Sequence, residues 1–276
     1  MPTVHSSLPE ELTEAADAVL RAAGVVHVAH RAGANPMAAA EAAAGDPDSV
    51  ALLGPYRSRA VAHALEATAP AGLALIAPVA TWAGVTRDDE PGCDASPARH
   101  LGTVLRIVAR DTVVAARLAA DVRASGQRAL VVTGDHEYGA QLDGQLLLAG
   151  LPRAQDAADA DLVVLCGLAG ELEVTRAAAA GLPMIAFDGV QDGRSVPDLR
   201  LALPFAPGQD PAGSDAAQRA AELVVDALAG GASDRAAVLA AMRAQGPFDE
   251  HGDPVDPPVW LWRASPDWTL EPDRAI

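Results

Sequence analysis

Short apolar runs alternate with Ala-rich helical periods along most of this chain, and that alternation constrains the fold more than any other feature. The runs Val25–Ala29, Val50–Leu53, Leu73–Ala77, Ala129–Thr133, Leu162–Cys166, Met184–Phe187, Leu199–Leu203 and Val259–Trp262 have strand length, and Gly, Pro or Asp bounds many of them. A strand that is apolar throughout is covered on both faces, the situation of parallel sheets with helices packed above and below. The intervening segments carry apolar residues three and four apart: Leu12, Ala16, Val19 and Leu20, then Val114, Leu118 and Val122, then Leu223, Val224, Ala227 and Leu228. The last of these stops at Gly230 and Gly231, and Ser233 is the expected cap of a following helix that bears Val238, Leu239 and Met242. The pattern predicts an α/β protein built from βαβ units.

At 276 residues the chain can bury an adequate core as two lobes, without a metal or disulfide. Half of its residues are hydrophobic but only 3% are aromatic, so Ala, Val and Leu must build that core. Its 37 acidic residues outnumber 20 basic ones, all arginine, for a net charge of −17. Nucleic acid is excluded as a partner, because phosphate recognition needs a basic footprint. The charge is read as a solvated acidic surface. Cys93 and Cys166 form neither a disulfide framework nor a CxxC site and are read as structural or incidental. No apolar stretch reaches membrane-spanning length, so the chain is not expected to be membrane-embedded. The first twenty residues lack a basic region followed by an apolar one. A cytoplasmic location is the expectation for the chain as it stands, and an extracellular or periplasmic one if residues are missing upstream.

Two strand ends carry the candidate site. After Val50–Leu53 come Gly54, Pro55, Tyr56 and Arg57, and then a helix that begins near Ser58. A helix start presents free N–H groups and partial positive charge, so a ligand carboxylate could sit there with the Ser58 hydroxyl as an added donor; the alternative is that Ser58 simply caps the helix. The neighbouring run ends in Pro78-Val79-Ala80-Thr81-Trp82, which offers a carbonyl, a hydroxyl and an aromatic wall, or equally a turn residue and a packing residue. Ligands of open parallel sheets bind at such carboxyl-terminal strand edges.

The run GPYRS, then IAPVAT, LRIVARDTVVAARLA and ALVVTGDHEYGAQL, followed by DADLVVLCGLAGE, GLPMIAFDGV and VLAAMRAQGPFDEHGD, resembles the leucine/isoleucine/valine-binding proteins of the type I periplasmic-binding-protein family. The resemblance covers nearly the whole chain and rests on the order of its motifs. It implies two Rossmann-like lobes with parallel sheets flanked by helices, 1–110 plus 206–253 and 111–205 plus 254–276, joined by hinge crossovers near Arg110, Phe205 and Pro254. It also implies a ligand-binding role without catalysis. Ser58 and Thr81 match the hydroxyls that hold a ligand carboxylate, Ala80 a backbone contact to the amino group, Tyr138 the tyrosine that closes on the ligand, and Asp188 an acidic partner of the ammonium. Tyr56, Trp82 and Leu168 are candidate pocket walls; Leu168 stands near where relatives often carry an aromatic. Only GLPRAQDAA intervenes between the YG helix and DADLVVL, so the second lobe is shortened by an edge βα unit. The first strand of lobe 1 is expected at Thr3–Ser6. The implied partners are an amino-acid-like small molecule and an ABC permease or a regulatory protein. The role is the substrate-binding component of an importer of amino acids or related carboxylates and amides. Its alternatives are an intracellular sensor of the amide-responsive type, and a member that has lost binding or gained an enzymatic role.

Other chemistry has weaker support. His27 and His30, three apart on a strand, face opposite ways and are read as structural or surface residues. Asp249, Glu250, His251 and Asp253 lack the register of a calcium loop and are read as a solvated turn. Asp135, His136 and Glu137 could be drawn as an acid/base group, and Ser195 follows Gly193 without the second glycine of a nucleophile elbow. No phosphate-binding or dinucleotide-binding motif is present, so no cofactor or metal is expected.

Overall fold

The strand expected at the amino terminus is present, and it holds one of the two sheets together. In the computed structural model, β1 (Thr3–Ser6) pairs in parallel with β2 (Val26–Ala29) on one side and β3 (Ser49–Leu53) on the other. Residues 1–31, 35–87, 98–172, 175, 181–190 and 198–276 are described. They divide into two compact units, Met1–Arg110 with Ala212–Pro257 and Asp111–Pro211 with Pro258–Ile276. Among the described residues no helix is long and apolar enough to cross a membrane.

The first unit carries a five-stranded parallel sheet in the order β2-β1-β3-β4-β5, where β4 is Ala74–Ala77 and β5 is Val104–Arg106. One face is covered by α1 (Glu10–Ala22), α6 (Ser214–Ala229) and α7 (Arg235–Gln245), helices being numbered in chain order. Leu12, Ala16 and Leu20 of α1 meet Ala217, Ala220, Ala221 and Val224 of α6 over Val4, Leu53, Ile76 and Leu105 of the sheet. Small alanines on both helices allow close approach, which is how a core with few aromatics reaches interior packing density. The other face is covered by α2 (Pro36–Gly45) and α3 (Ser58–Thr68), through Ala40, Ala43, Val61, Ala64 and Leu65. Asp234, not Ser233, caps α7, accepting a hydrogen bond from the Ala237 N–H at 2.8 Å.

The second unit has a mixed sheet in the order β11-β10-β9-β8-β7-β6. Strands β6 (Ala129–Thr133), β7 (Leu162–Cys166), β8 (Met184–Ala186) and β9 (Leu199–Leu203) are parallel, whereas β10 (Trp260–Ala264) and β11 (Leu270–Ala275) run antiparallel to their neighbours. Helices α4 (Asp111–Ala124) and α5 (Glu137–Leu148) complete it. At the β6 edge, Ala129 and Arg153 make a single isolated parallel bridge. The expected parallel sheets flanked by helices are present, and β10 and β11 add an antiparallel edge to the second. Strand β5 was not expected either, because an arginine inside a three-residue run does not read as a buried strand, yet Arg106 is fully buried.

Candidate functional site

In the first unit the two predicted segments come together at adjacent strand ends. The chain leaves β3, turns through Gly54–Arg57 and enters α3 at Ser58; residues 78–82 follow β4, the neighbour of β3. Ser58 does not cap its own helix. Its hydroxyl accepts a hydrogen bond from the Trp82 N–H at 3.2 Å, and no side chain caps α3. The cap alternative for Ser58 is therefore not what the structure shows. Ala80 and Thr81 are buried, at 1% and 6% exposure. Trp82 is half-buried with the Arg99 guanidinium 5.8 Å from its ring centroid, a cation–π contact, and Tyr56 is exposed.

Beneath this edge lies a charged cluster. Asp253, read from sequence as part of a solvated turn, is 1% exposed. One of its oxygens accepts from Arg106 Nε at 2.9 Å and the Thr86 hydroxyl at 2.7 Å; the other accepts from Arg87 Nε and Arg110 Nη1, each at 3.0 Å. Asp249 adds a pair with Arg87 at 2.5 Å and accepts from the Asp253 N–H at 3.0 Å. The solvated-turn reading is thus corrected for Asp249 and Asp253, while Glu250 is exposed and His251 half-buried. The physical reason is the arginines, which compensate a carboxylate that burial alone would neutralise. Burial pushes the Asp253 carboxyl up, but Arg106, Thr86, Arg87 and Arg110 outweigh it and hold it at about 2.

In the second unit the structure brings together Tyr138, Asp188 and Leu168. The Tyr138 hydroxyl, from the first turn of α5, donates to Asp188 Oδ1 at 2.5 Å. Burial, then the charges of Asp111 and Asp188, raise the phenol well above its ordinary value, so Tyr138 is a neutral donor across the physiological range. A Cβ on Gly189 would lie 2.8 Å from the Tyr138 ring and 3.1 Å from Leu168 Cδ2, so these three are in close contact.

A residue the sequence reading missed, Glu171, organises this edge. Its carboxylate accepts from the Asp135 N–H at 2.8 Å and the Leu168 N–H at 2.7 Å, tying the turn after β6 to the turn after β7. Cβ atoms on Gly134 or Gly167 would meet that carboxylate at 2.1 and 2.2 Å, so a side chain at either position would push Glu171 out of these bonds. The two flanking glycines were the available sequence signal. Asp135, His136 and Glu137 are exposed. Ser195 and Cys93 lie outside the described residues. Cys166 is a free, buried thiol, pushed up to about 12 chiefly by burial, which suits a packing role.

The histidines sit on opposite faces of the first unit's sheet edge, as their spacing implies. His27 Nε2 lies 2.8 Å from the Ser6 hydroxyl and its Nδ1 lies 2.9 Å from Asp17 Oδ1. This has the connectivity of a Ser-His-Asp triad. Ser6, however, has no exposed surface, so no substrate reaches it, and the chain of bonds ties α1 to the edge strand β2. His30 stacks on His5, with Nε2 2.9 Å from His5 Nδ1, and the other nitrogen of His5 lies 3.1 Å from Asp46. Burial, then His5, lowers the His30 pKa.

No protein-family model and no curated protein sequence matches the chain. Solved structures do. An ABC transporter substrate-binding protein from Desulfitobacterium hafniense superposes with a TM-score of 0.77 at 19% identity, over 98% of both chains. A leucine-binding protein from Thermotoga maritima gives 0.75 at 15% identity, over 100% of this chain and 99% of that one. The branched-chain amino acid transporter substrate-binding protein of Streptococcus pneumoniae, solved with isoleucine, gives 0.75 at 15% identity, over 99% and 98%. At these identities the likeness establishes architecture: the chain has the type I periplasmic-binding-protein fold, that of the branched-chain amino acid substrate-binding proteins.

Proposed function

We propose that this chain is a small-molecule binding protein for amino acids or related carboxylates and amides, acting as the substrate-binding component of an ABC-type importer. The observation that carries the reading is the Ser58–Trp82 hydrogen bond. It joins the β3 and β4 strand ends into one polar edge beside an uncapped helix start, where Ser58 and Thr81 supply hydroxyls for a carboxylate. Asp188 supplies an anion for the other end of a zwitterion, and the hydrogen bond it accepts from the neutral Tyr138 hydroxyl orients its carboxylate. In this reading the first unit receives the ligand, and hinge motion at the crossovers brings the second onto it.

Binding rather than catalysis fits the chemistry present. The serine of the Ser-His-Asp arrangement has no exposed surface, the Cys166 thiol is protonated at neutral pH, and Asp135, His136 and Glu137 are exposed where the turn after β6 enters α5. The test is a thermal-shift screen of amino acids, their amides and small carboxylates. A ligand at a thousandfold excess over its dissociation constant stabilises by about 4 kcal/mol. The reading fails if no zwitterion or carboxylate raises the melting temperature.

A further inference from the structure

We propose that Arg106 is a positioning residue for the ligand-receiving turn: its guanidinium, neutralised by Asp253, fixes the backbone of Ala80–Trp82 in the geometry that binds ligand. This rests on the reading of that turn as the carboxylate-receiving edge.

The case begins with the fork itself. Guanidinium donors lie in one plane at fixed angles. Arg106 Nη1 donates to the Ala80 carbonyl, Nη2 to the Trp82 carbonyl at 2.9 Å and to the Thr86 hydroxyl at 3.0 Å, and Nε to Asp253 at 2.9 Å. The carbonyls of residues 80 and 82 are thus pinned on a single rigid group. The peptide between Thr81 and Trp82 lies between those two anchors, and its N–H is the one that reaches Ser58. With both flanking carbonyls held, that peptide has little freedom to rotate, so Thr81 and Ser58 keep their relation to each other.

A cation at 0% exposure needs a dedicated anion. Asp253 is delivered by a turn that only glycine permits. Gly252 has φ +86°, and a Cβ there would stand 2.1 Å from the Val104 carbonyl oxygen. The Gly252 carbonyl accepts from the Arg106 N–H at 2.8 Å, so the turn is bonded to the strand that carries the guanidinium. Arg110, the last residue of the unit before the chain crosses at Asp111, is bonded to the same carboxylate. The segments leading to two of the crossovers therefore share an anchor with the ligand turn.

Arg106→Lys tests the proposal, because an ammonium keeps the charge beside Asp253 but cannot span two carbonyls. The readouts are calorimetric binding of leucine and hydrogen exchange of the peptide covering residues 78–86. Leucine affinity is expected to fall about thirtyfold, the loss of a charge-assisted hydrogen bond. Exchange should rise in residues 78–86 and stay unchanged in β1 and β3. Arg87→Gln serves as control: it removes donors from Asp253 and Asp249 but no bond to the Ala80 or Trp82 carbonyl, and should leave affinity within about threefold. Unchanged exchange in residues 78–86, or an equal rise across the whole first unit, overturns the proposal. If the unaltered protein binds neither leucine nor another amino acid, the functional reading fails, and the exchange comparison still decides the role of Arg106. Should Arg106→Lys not fold, Thr86→Val replaces it, removing a hydroxyl bonded to both Arg106 and Asp253. The same local rise in exchange is expected there, and its absence overturns the proposal.

Discussion

Neutralising Asp253 should remove a measurable and pH-dependent share of stability. Its carboxyl is held at about 2 against an ordinary value of 3.8. At about 1.4 kcal/mol per pH unit, that gap corresponds to about 2 kcal/mol favouring the ionised, folded form. A depressed folded-state value means this stabilisation is complete above 3.8 and disappears as pH falls toward 2. Asp253→Asn is neutral at every pH and lacks the contribution throughout. Urea midpoints, followed by far-ultraviolet circular dichroism across an acid series, should show the two proteins about 2 kcal/mol apart at neutral pH and converging at the acid end. A separation that stays constant with pH would refute the reasoning, because it would mean that ionisation of Asp253 contributes nothing.

Further outcomes follow from the same geometry. Gly252→Ala forces a left-handed backbone onto a side chain that meets the Val104 carbonyl, and should cost about 3 kcal/mol or more by urea denaturation; a change below about 0.5 kcal/mol would contradict the close approach. Tyr138→Phe deletes the donor to Asp188 and should weaken amino-acid binding about tenfold by calorimetry, with no new aromatic contact to compensate. Asp188→Asn should weaken binding of an amino acid far more than binding of the matching carboxylate without an amine, whereas equal losses would remove Asp188 from the ammonium role. In a Cys93→Ser background, Cys166 should react with iodoacetamide only after denaturant is added, since its thiol is buried and held at about 12.

Elements whose side chains obey one rule were legible in the sequence. The apolar runs gave β3, β4, β6, β7, β8 and β9 nearly to the residue, because all but the edge strand β6 are buried on both faces and have the length of strands rather than helices. Elements missed were those where tertiary contacts override local character. Strand β5 contains an arginine whose charge is cancelled by Asp253, 147 residues away. Strand β11 has a proline and an exposed polar face, tolerable because it is an edge strand. In the same way, DEHGD looks like a hydrophilic turn until three arginines from elsewhere in the unit are seen to converge on it. Ser58 was placed at the helix start correctly by local pattern, but its bond to Trp82 depends on β3 and β4 being neighbours. Glu171 was invisible for a related reason, since its partners Asp135 and Leu168 belong to two different strand ends.

The packing of α1 against α6 has a consequence for how the chain is made. All of Asp111–Pro211 lies between these helices in sequence, so the stripe Leu12, Ala16 and Leu20 leaves the ribosome long before its cover exists. Strand β9 likewise waits for β10, which follows it only after α6 and α7. Neither unit can close its core until the segments that follow Pro211 are made, and greasy alanine and leucine faces stand open until then. A chain with this order of assembly benefits from mutual repulsion between its copies, and the excess of acidic over basic residues supplies it.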